Sequence, residues 1–290
     1  MYSENVKKIA AIHDLSGTGR TSLMAVIPIL STMGFEVCPL PTAILSGHTQ
    51  YPHFYMLDLT EEMPKIIAQW KEMKIRFDAI YTGYLGSPGQ ITIVKEFIET
   101  FRQENNLVVI DPVLGDNGKL YKTFDNQMVT QMQSLIQKAD VVTPNMTELF
   151  YLLGKPYSQH NSDQTLKQYL VELSDKGPQI VIVTSVPVEK DANTTCVYAY
   201  NREGERFWKI GCPYYPAHYP GTGDTFTSVI TGALMQGDSL PVAMDRAVQF
   251  ISQGIRATFG YEYNQMDGIL LEKVLPTLNI PVQISNYEMI

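Results

Sequence analysis

Short apolar runs that stop abruptly at polar or glycine-rich segments recur along the 290-residue chain and constrain its architecture most strongly. Leu107-Val108-Val109-Ile110 ends at Asp111-Pro112, and Ile180-Val181-Ile182-Val183 ends at Thr184-Ser185. Strands that are apolar at every position, rather than alternately, bury both faces, as in a parallel sheet covered by helices. The intervening segments carry helical spacing: Thr21 to Met33, Thr60 to Met73 with Glu61 and Glu62 in its first turn, Ile91 to Arg102, Asp125 to Gln137, Thr147 to Leu153 and Leu166 to Leu173. From Thr195 to Ile210 the pattern becomes that of a hairpin turning at Asn201 to Gly204, and two more helices follow, Asp224 to Met235 and Pro241 to Phe259. The expected fold class is α/β: one domain over residues 1–290, with three αβα layers, a mostly parallel central sheet and an antiparallel edge hairpin.

Composition narrows the function. A net charge of −8 argues against a nucleic-acid surface, which needs clustered Lys and Arg. Cys38, Cys196 and Cys212 are scattered and form no CxxC pair, so neither a disulfide framework nor a zinc site is expected, and a reducing cytoplasm is the simple reading. The longest tempting apolar stretch, Thr21 to Phe35, contains Pro28 and falls short of the roughly 20 residues that span a bilayer. The apolar run after Lys7-Lys8 ends at His13-Asp14, too soon for an export signal.

In an open parallel sheet, ligands sit beyond the carboxyl ends of the strands. There the sequence places its polar loops: Asp14 to Gly19, Ser46 to Tyr51, Gly83 to Gly86, Asp111 to Asp116, Asn145 to Glu148 and Thr184-Ser185. Gly221-Thr222-Gly223-Asp224 opens a helix, where backbone amides and the helix dipole favour an anion. Its Asp can take a proton from a substrate hydroxyl, or simply cap the helix. Asp111 and Asp116 can hold Mg²⁺ through oxygen, or be solvated residues of a proline turn. Glu148 can serve a metal or phosphate, or be an ordinary first-turn acid. His48, Thr49, Gln50, Tyr51 and Tyr84 suit a flat heteroaromatic substrate, although each alone reads equally as structural.

Taken together, Ser46 to Tyr51, Thr82 to Ser87, Asp111 to Asp116, Thr143 to Glu148, Thr184-Ser185 and Gly221 to Asp224 resemble the ribokinase-like superfamily, and within it the pyridoxal/pyridoxamine kinases. The resemblance implies a kinase that phosphorylates the 5′-hydroxymethyl group of a B6 vitamer with ATP. Asp224 would be the general base, and the amides of Gly221, Thr222 and Gly223 an anion hole. Asp111 and Glu148 would organise Mg²⁺, with K⁺ as a further cation. Asp116, Asn145, Thr184, Ser185, Thr222 and Gly223 would lie along ATP, while Asp14, Ser16, His48, Thr49 and Tyr84 would line the B6 pocket. A homodimer is implied by the same resemblance. One departure stands out: many such kinases carry a Ser-His pair after the first strand, whereas this chain has Asp14 at the serine position. An Asp can accept a hydrogen bond from a protonated ring nitrogen, as in a bacterial subgroup described as pyridoxamine kinases.

Three rivals compete with that reading. A hydroxymethylpyrimidine kinase of thiamine synthesis would share the fold and the transfer, and a non-catalytic B6-binding protein would share the pocket. A nicotinamide-dependent oxidoreductase would explain Gly17-Thr18-Gly19, but its fingerprint fails at the third glycine, where Ser22 stands.

Overall fold

The computed structural model describes residues 6–188, 191, 193–215, 218–280 and 286–290. Strand β1 (Lys8–Ser16) leads through a loop into α1 (Leu23–Thr32), then β2 (Glu36–Leu45) and the short β3 (Met56–Asp58). Helix α2 spans Met63–Glu72, later than the expected start at Thr60. The reason is local: Asp58 Oδ1 accepts the Thr60 amide at 2.7 Å, a turn that withholds Thr60 to Glu62 from the helix. Glu61 therefore lies outside the helix and Glu62 at its cap, so neither is a first-turn acid.

The alternation then continues with β4 (Ala79–Thr82), α3 (Pro88–Phe101) and β5 (Leu107–Ile110). A two-stranded hairpin, β6 (Gly115–Asp116) and β7 (Lys119–Leu120), interrupts it before α4 (Asn126–Leu135), β8 (Val141–Val142), α5 (Met146–Leu153) and α6 (Asp163–Ser174). Strand β9 (Ile180–Pro187) begins the antiparallel part with β10 (Thr194–Asn201) and β11 (Arg206–Pro213). Helices α7 (Thr222–Gln236), α8 (Leu240–Phe259) and α9 (Leu271–Val274) precede β12 (Tyr287–Met289). Side-chain caps fix several starts: Ser87, Asp125 and Ser162 each accept an amide of the first turn of the helix they open.

The main sheet has ten strands in the order β12-β11-β10-β9-β8-β5-β4-β1-β2-β3. It is parallel from β9 to β2 and antiparallel at both edges. The three-layer αβα ribokinase-like expectation holds, with the 195–210 hairpin as β10–β11. Alternate residues of β1 feed two cores, Ala10 and Ile12 on one side and Ile9 and Ala11 on the other. All four are fully buried, which is why the run shows no polar alternation. The first core packs α3 to α6; the second packs α1, α7 and α8.

Two irregularities matter for the site. Pairing of β1 with β2 shifts between His13 and Leu15, around Asp14. On β9, Thr184 and Ser185 together oppose Val197, a bulge in which Ser185 adopts φ 57°.

Candidate active site

Asp224 is the third residue of α7, and its carboxylate does not cap that helix. The cap position belongs to Gly221, which supplies no side-chain bond and leaves the first amides to whatever sits before them. Gly221 holds φ 84°, and a Cβ there would lie 2.0 Å from the Arg20 carbonyl oxygen. Only glycine brings the helix start so close to the β1–α1 loop. The Asp224 carboxylate turns instead to that loop, accepting the Ser22 amide on Oδ2 at 2.8 Å. The helix-cap alternative for Asp224 therefore falls.

Burial pushes the Asp224 carboxyl up to about 7; the Ser22 amide opposes the rise and Asp14 adds to it. A carboxylate poised near neutrality suits a general base. His13, fully buried, places Nδ1 3.8 Å from Asp224 Oδ1. Burial lowers its pKa to about 3, so the ring is neutral at pH 7 and no ion pair forms.

Ser22 also reaches Asp14: its hydroxyl donates to Asp14 Oδ1 at 2.5 Å, while Ser16 donates to Oδ2 at 3.3 Å. Burial raises the Asp14 pKa, and these two hydroxyls and His48 hold it back. Asp14, Ser16, Ser22 and Asp224 thus form one hydrogen-bonded chain. Nothing in the sequence flagged Ser22 as a partner, because Ser before an apolar helix reads as an ordinary cap. Its φ of 49° is the only trace of the glycine that a dinucleotide fingerprint would have there.

Asp111, directly after β5, is 6% exposed and accepts the Thr227 hydroxyl on Oδ2 at 3.3 Å. Thr143 and Thr227 share a further bond at 2.8 Å. Burial, then Glu148 and Asp224, raise the Asp111 pKa well above its ordinary value. Glu148 completes a capping box with Asn145: each accepts the other's amide, at 2.8 and 3.0 Å. Its other oxygen takes the Leu114 amide at 3.1 Å, tying α5 to the Asp111–Asp116 loop, and burial pushes its carboxyl up to about 8. The Asn145 amide group donates to the Gly115 carbonyl at 2.9 Å. Asp116 closes the β6 turn on Asn117, and an isolated bridge joins Asn145 to Thr184 beside the exposed Ser185.

The substrate loop divides. Tyr84 stacks on Phe124 at 5.7 Å, and the charge of Asp14 contributes to its raised pKa, after burial. His48 is spent on structure, Nε2 donating to the Met266 carbonyl at 2.5 Å and Nδ1 accepting the Gln50 amide. The Tyr51 hydroxyl bonds to Asp267, and the Arg20 amide and guanidinium both reach the Asp267 carbonyl at 3.1 Å. Residues 265–272 thus strap the loops after β1 and β2 together. Thr49 stands exposed, and the structure gives it no partner within the site.

Asp111 after β5, with Glu148 on α5 and Asp224 on α7 close enough to raise its pKa, offers oxygen donors for a hard divalent cation. Among the described residues no three His, Cys, Asp or Glu converge as a closed metal cage. That fits Mg²⁺, which is held by one or two carboxylates together with water and substrate phosphates. A partly buried carboxylate at a glycine-led helix start, beside acidic loops at the carboxyl edge of a parallel sheet, is the arrangement of a ribokinase-like small-molecule kinase.

Comparison with known proteins bears this out. A phosphomethylpyrimidine kinase family model matches residues 32–268, and the chain belongs to that family. A candidate phosphomethylpyrimidine kinase from Bacteroides thetaiotaomicron VPI-5482 is 69% identical, with a TM-score of 0.97 and full coverage of both chains. A second, orthorhombic crystal form of that protein was obtained with pyridoxal. Pyridoxal kinase from Lactobacillus plantarum is 32% identical, covers 94% of this chain and 97% of its own, and has a TM-score of 0.87. Pyridoxal kinase from Arabidopsis thaliana is 29% identical over 81% of this chain and 76% of its own. The protein is a phosphotransferase that uses ATP, and the family resemblance extends to Mg²⁺.

Proposed function

We propose that the protein transfers the γ-phosphoryl group of ATP to the 5′-hydroxymethyl group of a B6 vitamer, yielding the 5′-phosphate and ADP. The observation that carries this reading is the chain's likeness to a relative 69% identical, over 99% of this chain and 100% of its own, that was crystallised with pyridoxal. The same observation favours B6 over the thiamine pyrimidine, despite the name of the family model.

In this reading Asp224 accepts the hydroxyl proton as the oxygen bonds to phosphorus. The amides of Gly221, Thr222 and Gly223 receive the charge spreading over the transferring group. Asp111 would hold Mg²⁺ and Glu148 would orient its water; the cation would supply neutralisation of phosphate charge. Asp116, Asn145, Thr184 and Ser185 would border the nucleotide. Asp14, with Ser16 and Tyr84, would face the pyridine ring, and His48 would shape the pocket wall that Thr49 borders. The whole chain would act as one kinase domain.

The edge strand β3 exposes Met56 and Leu57, with Tyr55 exposed just before it, which supports a homodimer. Three free thiols suit a cytoplasmic setting, and no helix among the described residues is long and apolar enough to cross a membrane. The deciding experiment is a coupled ADP-release assay with pyridoxal, pyridoxamine, pyridoxine and hydroxymethylpyrimidine, run in K⁺ and in Na⁺. Turnover of a B6 vitamer is expected. Turnover of the pyrimidine alone would move the protein to the thiamine branch, and ADP release with none of the four would sink the kinase assignment. A rate independent of the monovalent ion would remove K⁺ from the site.

A further inference from the structure

Ser22 occupies a backbone conformation that serine adopts only under constraint. Its φ and ψ of 49° and −132° lie in the region of the first central residue of a type II′ turn, where glycine is preferred. It stands at the cap position of α1, yet its side chain makes no cap bond. Its two polar groups diverge instead: the hydroxyl donates to Asp14 Oδ1 at 2.5 Å and the amide donates to Asp224 Oδ2 at 2.8 Å. Ser22 is itself 5% exposed and Asp14 equally buried. A strained residue whose backbone serves one carboxylate, that of Asp224, and whose side chain serves another, that of the buried Asp14, is held there by its contacts.

We propose that Ser22 is a positioning residue for the B6-kinase reaction, binding the ring-facing Asp14 to the base Asp224 so that ring recognition and proton acceptance share one rigid register. This rests on the function proposed above and deepens it. Acceptance of a substrate is then set by whether its ring nitrogen and its hydroxymethyl oxygen fit the fixed spacing of the two carboxylates. The groups around Asp14 are Ser16 on its own strand, Ser22 on the α1 loop, His48 on the β2 loop, Tyr84 after β4 and Asp224 on α7.

Ser22→Gly separates the two roles, because glycine keeps the amide, relieves the backbone and deletes only the hydroxyl. Unfolding should hold at the wild-type midpoint or above it. The KM for the preferred vitamer should rise severalfold, because Asp14 loses the bond that holds its carboxylate in place. The ratio of kcat/KM among the three vitamers should shift severalfold, while the KM for ATP and the acidic limb of the kcat/KM profile stay put. In an aspartate-selective ¹³C carboxyl titration, the Asp14 signal, assigned with Asp14→Asn, should move to higher pH and that of Asp224 should not. With the wild type turning over vitamers, an unchanged vitamer ratio, an unmoved Asp14 titration or a lowered midpoint would overturn the proposal. A wild-type protein that turns over no vitamer would instead overturn the function on which it rests.

Discussion

The imidazole of His13 and the carboxylate of Asp224 face each other at 3.8 Å with their proton affinities displaced in opposite directions. Both His13 ring nitrogens are buried and find no hydrogen-bond partner among the described residues; burial keeps the ring neutral, so the neighbouring carboxylate gains no cation.

Their effects on stability oppose each other. His13, with a folded pKa of about 3 against 6.5, contributes stability above pH 6.5 that is lost as pH falls toward 3. Asp224, with a folded pKa of about 7 against 3.8, contributes stability at low pH that is lost as pH rises through 7. Between about pH 4 and 6.5 the two trends offset, each at about 1.4 kcal/mol per pH unit at most. Asp224→Asn leaves only the histidine trend. Denaturant midpoints measured from pH 4.5 to 7 should therefore show the variant losing stability on acidification more steeply than the wild type. Parallel curves would show that the pair is not linked to folding in this way.

Catalysis should follow Asp224 in the same range. With a pKa of about 7, the carboxyl is half protonated at neutrality, so kcat/KM should rise with pH on a limb centred near that value. Asp224→Asn should lower kcat by roughly 10²–10⁴-fold, the usual size of a general-base contribution, and leave vitamer binding nearly intact. Retention of near-wild-type kcat in stopped-time assays would remove Asp224 from proton transfer.

The two glycines of the motif differ in kind. At Gly221 a methyl would collide with the Arg20 carbonyl at a φ of 84°, so Gly221→Ala should both destabilise the protein and abolish turnover. At Gly223 the nearest atom a methyl meets is Asp111 Oδ2 at 3.9 Å. Gly223→Ala should fold with a melting temperature close to wild type, yet raise the KM for ATP by crowding the space before Asp111. Equal loss of stability in both variants would contradict this division.

Glu148 carries a structural load whatever it does for a cation. Both of its oxygens accept backbone amides, from Asn145 and Leu114, and an amide side chain can serve only one of them. Glu148→Gln should cost about 1–3 kcal/mol by leaving one buried donor unsatisfied, read as a lower denaturant midpoint, together with a higher Mg²⁺ requirement. A variant needing more Mg²⁺ at unchanged stability would assign Glu148 to the cation alone.

Much of this was legible in the sequence because continuous apolar runs such as Leu107 to Ile110 have only one comfortable home, a sheet covered on both faces. That topology gathers Asp14, Asp111, Asn145 and Thr184 at one edge before any chemistry is considered. The relationships across the chain were not legible. Ser22 meets Asp224 from 202 positions away, and Arg20, His48 and Tyr51 find partners at 266–267. No local period encodes such pairings. The start of α2 was misjudged because Asp58 competes for the Thr60 amide, a contest between a turn and a helix that propensity alone does not decide. β12 and the β6–β7 hairpin were too short to announce themselves.

The strap at 265–272 has a consequence for biosynthesis. Strands β1 to β9 and the core packed by α3 to α6 are encoded before residue 190, whereas Asp267 and Glu272 are translated after all of them. Until that segment emerges from the ribosome, the loops carrying Arg20, His48 and Tyr51 have nothing to close against. The nascent chain can acquire its parallel strands first, and the loops at their carboxyl edge are joined only afterwards, so a partly made chain has no closed edge at which to hold a nucleotide.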